Sequence, residues 1–217
     1  MAPPDLSPPP LPSLDGLLQS ADNALRALFA PAQARRQPPA LPESGPLAEA
    51  DRRHVAGLMR VNHAGEIAAQ ALYHGQALMA RSAETRAFLL QAADEEGDHL
   101  AWCQQRLREL GDRTSWLDPL WYAGSFAIGA AAAALSDPVS LGFVTETERQ
   151  VESHLAGHLE QLPAGDARTR RILETMQQDE VGHARAASDR GATELPPPVR
   201  ALMRLTSKVM TATAYRF

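Results

Sequence analysis

Apolar residues recur at helical intervals along most of the chain, and nowhere do they alternate for long enough to predict a useful strand. Leu14, Leu17, Leu18, Ala21, Leu25, Leu28 and Phe29 return every three or four positions, which predicts an amphipathic helix over 13–30. Residues 1–12 are Pro-rich and expected to be disordered, and residues 31–47 hold five prolines and read as a linker. The pattern therefore divides the chain into an N-terminal segment, 1–47, and a main domain, 48–217. Residues 49–80 contain no proline and predict one long helix. Gly57, Gly65 and Gly75 each lower its intrinsic propensity by roughly 1 kcal/mol, so packing has to hold it. A second helix over 83–110 stops at Gly111, in the position that favours a left-handed residue. Residues 120–136 carry no charge at all. Pro138 suits the first turn of the next helix, which runs to Leu162. Pro163-Ala164-Gly165 reads as a turn, followed by helices over 166–188 and, beyond Pro196, Pro197 and Pro198, over 199–215.

Polar positions that interrupt the apolar faces carry the chemistry. Glu96-Gly97-Asp98-His99 and Glu180-Val181-Gly182-His183 are two Glu-x-x-His motifs on two different predicted helices. Residues i and i+3 share a helix face, so each pair can address one metal ion. Alone, such a motif is most often a solvated pair. Here each is preceded by a glutamate on the previous helix: Glu66 stands 30 residues before Glu96, and Glu148 stands 32 before Glu180. The set repeats at 82 and 84 residues, as two similar helical hairpins would. One Glu from each of two helices plus Glu-x-x-His from each of two others is the ligand set of di-iron and di-manganese bundles. Two close cations need several anionic oxygens, and carboxylates and imidazole suit iron or manganese. The neighbours are apolar: Met59, Ala69 and Tyr73 beside Glu66, Phe88, Ala92 and Cys103 beside Glu96 and His99, Val144, Val151 and Leu155 beside Glu148, Met176 and Ala187 beside Glu180 and His183. A carboxylate on an apolar stripe needs a partner. The expected fold is all-α: a ferritin-like four-helix bundle with an apolar crossover helix, a C-terminal helix and an N-terminal helix on a Pro-rich linker. Asp94, Glu95, Asp98 and Asp179 are expected to be solvated or to support the ligands from behind.

Composition changes this picture little. A chain of 217 residues, 44% apolar and 22% charged, suffices for one sizeable core. The net charge of -5 speaks against nucleic acid as a partner. A single cysteine, Cys103, excludes an intrachain disulfide and Cys-based zinc or iron–sulfur sites. The opening MAPPDLSPPP lacks the features of a signal peptide, and Asp5, Asp15 and Asp22 break the pattern of a transit peptide. No stretch reaches the roughly 20 apolar residues of a membrane span.

The block Arg60-Val61-Asn62-His63-Ala64-Gly65-Glu66, then Tyr73-His74-Gly75-Gln76, with the segments 94–99 and 179–183, resembles the demethoxyubiquinone hydroxylase family of ubiquinone biosynthesis. The resemblance spans 48–217 and is closest to bacterial members with an added N-terminal helix. All six ligand positions of the family are filled, and His154 also matches a family histidine. One departure is Arg149 after Glu148, where many members carry another acid. The resemblance implies two iron ions per chain and hydroxylation, with O₂, of a quinone ring bearing a polyprenyl tail. It implies electrons from NADH or from the quinol itself; no GxGxxG segment is present to bind a dinucleotide. It also implies a peripheral protein on the cytoplasmic face of the bacterial inner membrane, and leaves room for a homo-oligomer or a ubiquinone-biosynthesis complex. His154 is a candidate for moving protons or bonding a ligand carboxylate, against the plainer reading of a half-exposed helix histidine. Tyr73 is a candidate relay, against a packed aromatic with a bonded hydroxyl. His63 reads as a supporting residue. The uncharged stretch 120–136, with Trp116, Trp121, Tyr122 and Phe126, suits a greasy substrate and a membrane interface, or a buried crossover, or one face of each. Leu202, Met203, Leu205, Val209 and Met210 would extend that surface. Three other readings stay open: a ferroxidase or iron store, a peroxide-handling di-metal protein, and a non-enzymatic lipid-carrier partner.

Overall fold

Local signals set the helix ends. The Ser13, Ser82 and Ser136 hydroxyls accept from the N–H groups of Gly16, Thr85 and Val139 at 3.1, 3.0 and 3.3 Å. The Asp166 carboxylate accepts from Thr169 N–H at 3.0 Å. Each such cap contributes about 1 kcal/mol by pairing a donor that the first turn leaves open. Gly111 (φ 68°) and Gly191 (φ 92°) close two helices in the left-handed region.

The computed structural model describes residues 12–39 and 45–217. Among them are seven helices and no strand: α1 (Leu14–Phe29), α2 (Glu49–Met79), α3 (Ala83–Glu109), α4 (Asp118–Leu135), α5 (Asp137–Gln161), α6 (Ala167–Asp189) and α7 (Pro197–Ala214). The expected disordered opening lies outside the described residues up to residue 11, as do residues 40–44 of the expected linker. Helices α2 and α3 form one hairpin, α5 and α6 the other, and together they make a ferritin-like four-helix bundle. Helix α4 is the crossover and lies along α2, while α7 packs on α2 and α5.

Two apolar clusters fill the bundle. Val55, Met59, Trp102, Leu107, Leu155, Ile172 and Met176 fill one end; Tyr73, Leu89, Ala92, Leu141, Val144 and Ala187 fill the other. A fully buried Leu, Ile or Met side chain contributes about 1.5–3 kcal/mol, so these plugs can offset a polar layer between them. Buried Arg106 ties α3 to α6 by donating to Thr169 Oγ1 at 2.8 Å and Asp166 at 3.0 Å.

The backbones of α2 and α4 nearly touch. A Cβ on Gly75 would lie 2.1 Å from the Phe126 carbonyl oxygen, and one on Gly129 would lie 2.1 Å from that of Leu72. Helix α4 has two faces. Tyr122, Gly129, Ala132 and Ala133 are buried, whereas Leu120, Ile128 and Leu135 are exposed. Of the four aromatics expected at a membrane interface, Trp116 is 74% exposed. Trp121 and Phe126 are half-buried, and Tyr122 is buried, its hydroxyl 3.0 Å from His74 Nδ1. Helix α1 docks through Ala27 near Ile67, Ala71 and Tyr122, and leaves Leu14, Leu17, Leu18, Leu25 and Phe29 exposed.

Candidate metal centre

All six side chains singled out by spacing meet between the two apolar plugs, each from near the middle of its helix. They form two overlapping groups. Glu66, Glu96, His99 and Glu180 make one; Glu96, Glu148, Glu180 and His183 make the other, each with ligand atoms within 4.8 Å of one another. Glu96 and Glu180 belong to both. His99 Nδ1 lies 3.1 Å from Glu180, 3.3 Å from Glu96 and 3.8 Å from Glu66. His183 Nδ1 lies 3.2 Å from Glu96 and 3.3 Å from Glu180.

These atoms are left without ordinary partners. Both oxygens of Glu96 and of Glu148, Oε1 of Glu180 and Nδ1 of His99 are buried and make no hydrogen bond. Burying a bare ion costs several kcal/mol, so a cluster of this kind needs counter-charge. Four carboxylates and two imidazoles, with aimed and unpaired donor atoms, fit a pair of hard-to-borderline divalent cations. The donor set accepts iron and manganese alike.

Burial and the neighbouring charges act on these groups in opposite directions. Burial, reinforced for Glu148 by the neighbouring Glu180, pushes the carboxyls of Glu66 and Glu148 well above the usual range. Burial acts the same way on Glu96, but contacts with His183 and His99 outweigh it and hold Glu96 low. Burial opposes the charged form of both histidines. Asp179, Glu180, Glu66 and Glu96 overcome it at His99, and Glu180 and Glu96 raise His183 to about 12.

The far nitrogen of each histidine is held by an acid. His99 Nε2–H donates to Asp179 Oδ2 at 3.0 Å, and His183 Nε2–H donates to Glu95 Oε2 at 2.8 Å. Such acids fix the ring and make the metal-facing nitrogen more basic. The pairing is crossed: the residue just before Glu180 holds the histidine of the first motif, and the residue just before Glu96 holds the histidine of the second. Asp179 is depressed to about 2; burial works against this, and His99 and Arg36 outweigh it. Asp98 faces the other way and accepts from the backbone N–H groups of Arg35 and Arg36 at 2.6 and 3.2 Å.

A cavity of about 500 Å³ opens beside the cluster. Its walls are largely apolar and come from α2, α4, α5 and α7, including Leu72, Ile128, Phe143, Met203 and Met210. Glu66 is the ligand-set carboxylate on its wall, next to Gly65, and His154 faces it from α5. The His154 ring lies 3.9 Å, centroid to centroid, from that of His158; its Nε2 is unpartnered, and burial lowers its pKa to about 4. His154 thus borders the cavity as a neutral imidazole. Tyr73 does not line it: the ring is fully buried in an apolar cluster, and its hydroxyl has no partner, unlike the bonded hydroxyl expected. His63 approaches Asp118 at 3.2 Å and belongs to neither ligand group.

The family model described as "Ubiquinone biosynthesis protein COQ7" matches residues 53–214. A protein of Cupriavidus pinatubonensis named 3-demethoxyubiquinol 3-hydroxylase is 57% identical over 206 residues, covering 94% of this chain and 100% of that protein. Proteins of the same name from Bordetella avium (57% over 203 residues, 94% of each chain) and Burkholderia ambifaria (57% over 204 residues, 93% and 98%) are equally similar. The match runs through both hairpins, the crossover and the final helix, and the chain belongs to this family of ferritin-like di-iron monooxygenases of ubiquinone biosynthesis.

Proposed function

We propose that the chain hydroxylates the ring of a polyprenylated demethoxyubiquinol or demethoxyubiquinone with O₂. The observation that carries this reading is the apolar cavity that reaches Glu66, because it brings a greasy ring-and-tail substrate to the side of the cluster where a ligand-set carboxylate forms part of the wall. Glu66, Glu96, His99 and Glu180 would hold one metal ion, and Glu96, Glu148, Glu180 and His183 the other; bound there, an iron pair would supply O₂ activation. The chain's own residues do the rest. The apolar walls exclude water and align the tail, and neutral His154 is placed to exchange a proton with a ring hydroxyl.

Of the O₂, one atom enters the ring and the other leaves as water, with two electrons from the quinol itself or from NADH. The cavity rim also supports a membrane-bound site. Leu120, Ile128 and Leu202 line the cavity yet are exposed, and Leu205 and Val209 on α7 and Trp116 just before α4 are exposed too. No helix among the described residues is long and apolar enough to cross a membrane. The reading places the protein peripherally on the bilayer that dissolves its substrate.

The test is an anaerobic mixture of iron-loaded protein, a short-tailed demethoxyquinone and NADH, pulsed with isotope-labelled O₂. One labelled oxygen atom in the quinone supports the proposal. Oxidation of the irons with the quinone untouched would overturn it in favour of a ferroxidase.

A further inference from the structure

The segment after α1 does not hang free. Ala32 N–H donates to Gln104 Oε1 at 3.1 Å, and the N–H groups of Arg35 and Arg36 donate to Asp98, the residue before His99. The Arg35 side chain turns outward to Asp94, at 2.6 Å. That of Arg36 turns inward. Its two terminal nitrogens donate to the two oxygens of Asp179, one bond at 3.2 Å and the other short. Its guanidinium carbon sits 4.8 Å from the Trp102 ring centroid, and the Trp102 ring is 5.4 Å from that of His99. Asp179 in turn accepts from His99 Nε2–H.

We propose that Arg36 is a positioning residue of the metal centre: it locks Asp179 against His99 and so fixes the imidazole whose Nδ1 faces the metals. The inference rests on the di-metal reading above. The geometry favours Arg36 because a bidentate guanidinium fixes a carboxylate in plane, whereas one N–H from the histidine leaves it free to rotate. Asp179 stands at the bundle surface, its side chain 24% exposed, and needs that second restraint to stay turned inward. The positive charge of Arg36 matters less. Its side chain is half-exposed, so water screens its field at the metals.

The arrangement makes the two halves unequal. The acid behind His183 is Glu95, whose side chain is 46% exposed; beside His183 it is held by the Gln91 amide at 2.9 Å, and no arginine or lysine among the described residues reaches it in an ion pair. His183 therefore serves as an internal control within the same molecule.

The test loads the full chain with Co²⁺, whose paramagnetism shifts the Nε2–H signals of the ligand histidines clear of the rest. The variants are Arg36→Ala, Arg36→Lys and Arg35→Ala, with helix content checked by circular dichroism. Arg36→Ala is expected to weaken one of the two Co²⁺ sites about tenfold, the low end for contacts that support a ligand. It should also speed solvent exchange of the His99 Nε2–H while leaving that of His183 unchanged. Arg36→Lys should restore part of the protection, and Arg35→Ala should match the unaltered chain. Unchanged affinity and exchange in Arg36→Ala overturn the inference. So does equal loss in Arg35→Ala, which would make the segment a mere cover. If the unaltered chain takes up no Co²⁺, the di-metal reading itself falls; if it binds two ions per chain and Arg36→Ala behaves identically, only the role of Arg36 falls.

Discussion

Two glycines ten residues apart on α2 should respond to the same mutation with opposite signs. Nothing lies within 4 Å of a Cβ built on Gly65, which borders the cavity beside Glu66. Gly65→Ala removes backbone freedom from the unfolded chain at a helical position with room, a gain of about 0.4–1 kcal/mol. For a chain of this size that raises the melting temperature by about 1–4 °C. The Cβ of Gly75→Ala would stand 2.1 Å from Phe126 O and 2.9 Å from Ala130 N, both backbone atoms of α4. No rotamer relieves that overlap, so α4 must move. Overpacking at the severe end costs about 3 kcal/mol, and after the propensity gain about 2 kcal/mol of loss remains. The melting temperature then falls by about 4–8 °C. Thermal unfolding by circular dichroism, with both variants in the same metal state, reads the difference. A third variant connects this geometry to function. Gly65→Leu keeps a good helix former but places four carbons in the cavity, and should leave metal uptake intact while lowering quinone turnover at least about tenfold. A lower melting point for Gly65→Ala, or an unchanged one for Gly75→Ala, refutes the α2–α4 geometry. Wild-type turnover by Gly65→Leu refutes the cavity as the path of the ring.

Glu180→Ala removes a carboxylate common to both metal groups, and should abolish metal-dependent turnover and stoichiometric metal binding with helix content retained; two tightly bound ions in that variant would sink the ligand set. Burial under Tyr122 lowers His74 to about 4, against about 6.5 unfolded, so its neutral form favours the fold fully above pH 6.5 and that advantage is lost as pH falls towards 4. At pH 5 the loss from His74 alone is about 2 kcal/mol, and denaturant curves of His74→Gln should show that much less acid sensitivity than the unaltered chain between pH 7 and 5; parallel pH profiles would refute the assignment. Replacing exposed Leu202 and Leu205 with glutamine should weaken flotation with quinone-containing vesicles without changing the melting temperature, and undiminished binding would move the membrane face elsewhere.

Helices and ligand set were legible because both depend on local spacing. The prolines and Gly111 punctuate the chain where the structure places helix ends. Glu66, Glu96, His99, Glu148, Glu180 and His183 were visible because Glu-x-x-His occurs twice at a matched distance from a preceding glutamate. The crossed support was not. Asp179 and Glu95 read as either solvated or supporting acids, and their spacing does not say which histidine each one holds, since it lies on another helix, 80 or 88 residues away. Residues 31–36 read as linker because proline dominates the stretch. Their attachment runs through backbone N–H groups to Asp98 and through one side chain to Asp179, and no pattern of residue types encodes it. Which face of 120–136 is buried is illegible for a similar reason. Periodicity shows that 120–136 is apolar throughout, but not that Gly75 and Gly129 draw α4 close enough to α2 to bury Tyr122.

The crossed bracing has a further consequence for how the bundle is put together. When one element's residue i supports the partner's residue j, and the partner's i supports j in return, the contact follows the rule of a twofold-symmetric dimer. Here both copies are written into one chain. Either hairpin by itself would carry a histidine with nothing behind it, while two copies of one hairpin would complete each other. The two halves are therefore not separable modules, and splitting the chain at the crossover would yield fragments that need each other before either histidine is correctly backed. The N-terminal arm, present once, adds to what makes one half differ from its twin.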